Sequence, residues 1–103
     1  MFAIVYITAK DVDEAKKIGN TLVKEKLVGC VNIIPKIESI YWWEGEIEKD
    51  VEAVVIAKTL VSKIQDVINK TKEIHSYENP CILAIPIITL TEEYAKWLKE
   101  SLK

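Results

Sequence analysis

The sequence predicts an α+β fold, a four-stranded antiparallel sheet with helices packed on it, and three observations carry that prediction. Apolar runs and amphipathic stripes follow one another in the order β-α-β-β-α-β, with one more helical stripe at the C-terminal end. Half of the residues are hydrophobic while 29% are charged, the balance of a chain that folds around a core. The aliphatic set leans on Ile and Val, which suit the pleated surface of strands. At 103 residues the length accommodates one domain spanning 1–103.

Residues 2–8 form an apolar β-rich run and read as the first strand. Asp11 stands where an N-cap belongs and Glu14 follows three residues on, a capping box that opens a helix over 12–26. Ala15, Ile18, Leu22 and Val23 recur there at helical spacing, and Gly29 is expected to help end the helix. From Val28 to Trp43 the pattern turns β-like. Pro35 marks an edge or a bulge within it, because proline cannot donate to a ladder. Glu44-Gly45 is a turn, and Glu46–Thr59 resumes as a strand with Ile47, Val51, Ala53, Val55 and Ala57 alternating on one side. A second helical stripe runs from Val61 to Ile74 with Ser62 as its expected N-cap. After the loop His75–Pro80 comes a strand over 81–88. Thr91 then caps a terminal helix whose Tyr94, Trp97, Leu98 and Leu102 are expected to face inward. This is the ferredoxin-like order, and right-handed crossovers place its strands in the spatial order 4-1-3-2.

Charge narrows the functional classes. The net charge is −2, and all fourteen basic residues are lysines. Without arginine the bidentate reader of phosphate and guanine is missing, which argues against a nucleic-acid partner. No run approaches the ~18–20 apolar residues that span a bilayer. Phe2–Ile7 has no basic region before it and no small-residue cleavage site after it, so it reads as a strand rather than a signal peptide. A cytoplasmic protein without a membrane partner is the expectation.

Catalytic machinery is not recognisable. One histidine, His75, serves the whole chain, and no P-loop, dinucleotide fingerprint or paired zinc-ligand motif occurs. A non-enzymatic protein requiring no cofactor is expected. His75, Glu78 and Cys81 nevertheless crowd into seven residues, and imidazole, carboxylate and thiolate suit soft and borderline metals such as copper. The alternative is that His75 caps a helix C-terminus and Cys81 is a small core hydrophobe. Cys30 reads as packing. The strand order puts it and Cys81 on opposite edges, ~14 Å apart, beyond the ~7 Å reach of a disulfide.

Tyr41-Trp42-Trp43 lies at the tip of a long hairpin. Adjacent residues on a strand face opposite ways, so the two tryptophans cannot enter one core. Sixteen residues at ~3.3 Å each span ~50 Å, against the ~33 Å breadth of a domain this size. The hairpin is expected to overhang its own domain and to form an oligomer interface through Tyr41, Trp42 and Trp43.

Several segments are specific enough to carry a resemblance. They are Gly29-Cys30-Val31-Asn32-Ile33-Ile34-Pro35, Ser39-Ile40-Tyr41-Trp42-Trp43-Glu44-Gly45-Glu46-Ile47-Glu48, Lys58-Thr59 and His75-Ser76-Tyr77-Glu78-Asn79-Pro80. In this order they resemble the CutA family over essentially the whole chain. The resemblance implies a homotrimer of ferredoxin-like subunits linked to divalent-cation tolerance, with copper binding attributed to some members. In bacterial members the metal is attributed to a Cys late in strand 1, a His before the His-x-Tyr motif and a Glu after its Pro. The matching positions here are Ile7, Ile74 and Cys81, so that ligand set does not carry over. A metal site would have to be rebuilt around His75, Cys81 and Glu78. The rival expectation is a trimeric small-ligand sensor similar in architecture to the PII proteins, holding an anionic metabolite between subunits.

Overall fold

A computed structural model describes all residues from Met1 to Lys103. Its elements are β1 (Phe2–Ala9), α1 (Val12–Lys24), β2 (Cys30–Trp43), β3 (Glu46–Leu60), α2 (Ile64–Ile74), β4 (Ile82–Pro86) and α3 (Glu92–Ser101). The sheet order is β2-β3-β1-β4 with every pairing antiparallel, the predicted order read from the other edge. The fold is therefore the expected α+β one.

One face of the sheet carries the main core. Val5, Ile7 and Ala9 of β1 alternate toward it beside Ala53, Val55 and Ala57 of β3, and they meet Ala15, Ile18 and Leu22 of α1 and Val67 of α2. A smaller cluster joins Phe2 to Leu98 and Leu102 of α3.

Four local expectations change. Helix α1 stops at Lys24, and the chain reverses through Lys26 in the left-handed region at φ 57°. Gly29 instead lets α3 approach, because a Cβ at this position would lie 2.4 Å from Leu98 Cδ1. Ser62 caps nothing, because Val61–Lys63 forms a 3₁₀ turn that runs into α2 without a side-chain cap. Strand β4 is shorter than the 81–88 expected. Pro80 precedes it and Pro86 ends it, and neither offers an N–H to the ladder. Trp97 is half exposed, beside the inward stripe of Leu98 and Leu102 rather than on it, and its ring lies 5.4 Å from that of Tyr94.

Pro35 does what a proline in a strand should. The β2–β3 register shifts between Ile34 and Ile37, a bulge that turns the rest of β2 over. Ile33 opposes Val55 on the helix side, whereas Ile37, past the bulge, opposes Glu52 on the other face. Strand β1 accompanies β3 only as far as Ala53, so residues 37–52 continue as a two-stranded arm. The arm closes through Glu44 (φ 49°) and Gly45 (φ 80°), both left-handed, as a two-residue hairpin of the I′ kind. With the arm the molecule measures 45 × 25 × 22 Å.

Candidate functional site

The arm and the loop before β4 enclose a cleft of about 650 Å³ on the sheet face away from α1 and α2. Strand alternation builds its floor. Glu48, Asp50 and Glu52 of β3 point to the same side, and the bulge brings Tyr41 and Trp43 of β2 to that side with them. Tyr77 and Cys81 close the cleft from the loop. The Tyr77 hydroxyl donates to Glu52 Oε2 at 2.9 Å, and Tyr41 donates to Asp50 Oδ2. Burial and the Glu52 carboxylate push the Tyr77 hydroxyl well above the ordinary phenol range. The hydrogen bond to Asp50 pushes Tyr41 up to about 12. Both phenols therefore stay protonated as donors at neutral pH. No lysine lines the cleft.

Helix α1 fixes the loop. Asp11 Oδ1 accepts from the Glu14 N–H at 2.9 Å, and Glu14 Oε1 accepts from the Lys10 N–H at 2.9 Å. The capping box is thus slightly displaced, reaching Lys10 rather than the cap residue itself. The second oxygen of Glu14 accepts from the Ser76 N–H at 2.8 Å, tying loop to helix across 62 residues. Burial by itself would raise the Glu14 carboxyl. The hydrogen bonds from Lys10 and Ser76 and the nearby His75 outweigh it and hold the group below its ordinary value.

His75 is a tie as well. Its Nδ1 accepts from the Tyr77 N–H at 3.0 Å, so Nε2 carries the proton and donates to the Thr8 carbonyl at 2.7 Å. The ring thereby joins the end of β1 to the loop rather than capping α2, although His75 is the residue at which α2 ends. Glu78 is exposed, and Cys81 is half-buried with a free thiol. No three His, Cys, Asp or Glu side chains gather in a metal-holding arrangement. Both His75 nitrogens are committed, so His75, Glu78 and Cys81 do not fit a three-ligand centre within one subunit. Ile7 is fully buried in the core and Ile74 packs against it, so those positions serve packing here.

The interface residues expected from sequence lie where the overhang puts them. Trp42 is 71% exposed and Trp43 56%, on opposite faces of the arm. Trp42 opposes Ile47, which is 59% exposed, and Ile40 and Val51 extend the same apolar face. On the opposite side of the sheet, Ile34, Leu83 and Ile85 are also largely uncovered. Sequence reasoning does not reach the pairing of Tyr77 with Glu52 or of Tyr41 with Asp50. The alternation of Glu48, Asp50 and Glu52 is the available signal, but the bulge decides which aromatics meet them.

Fold and arm together define a class: ferredoxin-like α+β chains whose central hairpin extends beyond the subunit body. Known proteins narrow it. A family model described as CutA1 divalent ion tolerance protein matches residues 3–101, and the chain belongs to that family. The divalent-cation tolerance protein CutA of Archaeoglobus fulgidus is 43% identical over 100% of both chains. A solved structure from that organism, described as a periplasmic divalent cation tolerance protein CutA, superposes with a TM-score of 0.97 at 42% identity, covering all of both chains. The chloroplastic protein CutA of Arabidopsis thaliana is 40% identical over 95% of this chain, which spans 54% of that relative. No helix of this chain is long and apolar enough to cross a membrane.

Proposed function

We propose that this chain works as a homotrimer in divalent-cation tolerance, without a catalytic centre of its own. Family membership supports the cellular role, since the relatives are named for it. The observation that carries the assembly is the arm, which leaves Ile40, Trp42, Ile47 and Val51 uncovered on one face. A two-stranded hairpin is marginal in water unless something packs on it. A second copy supplies that packing, and a closed ring of three serves every arm alike. Covering one tryptophan removes ~150–250 Å² from water, about 4–6 kcal/mol per interface before the costs of association. Light scattering at micromolar concentration is the test. The expected mass is three times the 11.7 kDa of the chain, and the mass of one subunit would refute the assembly.

Metal contact is the second part of the proposal. Of the three residues expected to bind copper or another soft divalent ion, Glu78 and Cys81 keep free donors, while His75 is held by Thr8 and Tyr77. Two donors fall short of the usual four, so a neighbouring subunit has to complete the set. Isothermal titration with copper is expected to show weak binding that Cys81→Ser abolishes. Binding unchanged in that variant would move the metal elsewhere. The small-ligand sensor is less favoured, because Glu48, Asp50 and Glu52 would repel the anionic metabolite that such a sensor holds. A cytoplasmic setting is part of the proposal.

A further inference from the structure

The cleft beside the arm holds negative charge that no cation of the chain answers. Glu48, Asp50 and Glu52 alternate along one face of β3, and Lys49 between them turns to the other face. None of the three carboxylates joins an ion pair, since the ion pairs of the chain all involve Lys70 or Lys103. Tyr41 donates to Asp50 and Tyr77 to Glu52, which fixes two of the carboxylates in place. A carboxylate ladder on an open surface is hydrated and calls for nothing more. This one lies in a cleft of about 650 Å³, within the ~300–1,000 Å³ range of ligand pockets. The rings of Tyr41, Trp43 and Tyr77 line the same cleft. Tyr41 and Trp43 fill no core, since both stand exposed on the arm. Aromatic faces beside uncompensated carboxylates are the lining that a cation with an apolar body requires.

We propose that the cleft binds a linear aliphatic polyamine, with its ammonium groups on the carboxylates and its methylene segments against the aromatic rings. The spacing selects this class over a single ion. Alternate residues of a strand recur every ~6.8 Å, whereas the ligands of one metal ion converge to within ~2.6 Å of it. No three His, Cys, Asp or Glu side chains converge in that way. Ammonium groups joined by four methylenes stand ~6 Å apart when extended, given carbon–carbon bonds of ~1.5 Å. That interval is close to the step between neighbouring carboxylates. The methylenes lie on the rings as lysine stems lie on apolar surface, and ammonium groups over ring faces gain cation–π attraction. The apolar face proposed for neighbouring copies is the other side of the arm. Each subunit therefore contains the whole polyamine site, and the site goes beyond the assembly.

Isothermal titration of the full chain with spermidine at fixed ionic strength is the test. One molecule per subunit is expected, with a Kd on the order of 10 µM. Butylamine, with a single ammonium group, is expected to bind at least about tenfold more weakly. Magnesium chloride at matched ionic strength is expected to leave spermidine bound. The combined Glu48→Gln and Asp50→Asn variant is expected to weaken spermidine about tenfold, and Trp43→Leu several-fold. Circular dichroism confirms that the variants fold, and light scattering separates a lost site from a lost assembly. The comparison of spermidine with butylamine and magnesium in the unaltered protein needs no variant. No binding of spermidine, equal binding of butylamine, displacement by magnesium, or unchanged affinity in either variant would each overturn the proposal.

Discussion

Strand β3 passes through two regions that obey the same alternation and meet different fates. From Ala53 to Ala57 its odd positions are sealed against α1, α2 and β1. Just before Ala53 the same side of the same strand presents Val51 and Ile47, both more than half exposed. The difference lies in what opposes the strand, since β1 ends its pairing at Ala53. An apolar stripe shows that a face is to be covered, and the body covers its own half only. The stability of the body should therefore be intramolecular, and the order of the arm should depend on other copies.

Equal truncations in the two halves provide the largest contrast. Ile7→Ala leaves a cavity in the body and is expected to cost about 2–5 kcal/mol in denaturant unfolding. Ile47→Ala is expected to cost the isolated subunit less than about 0.5 kcal/mol, with its effect visible only in the assembly. Comparable losses in the isolated subunit would erase the distinction between body and arm.

Glycine substitutions give the next effect. Gly29→Ala drives a methyl group into Leu98 and is expected to destabilise by about 1–3 kcal/mol, read by thermal unfolding. Gly45→Ala meets nothing but must hold a φ of 80°, so about 1 kcal/mol is expected at the arm tip. A Gly29 variant as mild as the Gly45 one would mean that α3 is not closely seated.

Glu14 gives a pH-dependent test of how the body anchors the loop. Its folded carboxyl titrates below the ordinary value, so as pH falls the unfolded chain takes up the proton first. The stabilisation is complete above the unfolded value of about 4.3 and fades as pH drops through the lower folded one. Glu14→Gln is expected to cost about 1–3 kcal/mol at neutral pH and to flatten the acid limb of a stability–pH curve. An acid limb identical to that of the parent would remove Glu14 as the anchor. Tyr77→Phe should be the mildest change, about 1 kcal/mol or less for one hydrogen bond to Glu52, read by chemical denaturation.

Periodicity, capping residues and proline position make most of the fold legible. The Pro35 bulge, the Glu44-Gly45 turn and the cap at Asp11 all lie where the sequence puts them, because each depends on local backbone chemistry. The functional surroundings are less legible because they depend on distant partners. Spacing alone offers His75 as a metal ligand or a helix cap, yet its ring spans to Thr8, 67 residues away. Glu14 reads as half of a local cap, and its other oxygen holds Ser76. The aromatic and acidic lining of the cleft needs a bulge whose one extra residue exchanges the faces of β2 along the whole arm, and composition carries no record of that exchange.

Light scattering on the chain with both Trp42→Ala and Trp43→Ala, beside the parent at the same micromolar concentration, tests the central claim most directly. The parent should scatter as three subunits of 11.7 kDa and the double variant as a smaller species. The far-ultraviolet circular dichroism of the variant's body should remain, because neither tryptophan belongs to the buried core. A double variant with the mass of the parent, or a parent already monomeric, would contradict the claim that the arm is completed by neighbouring copies.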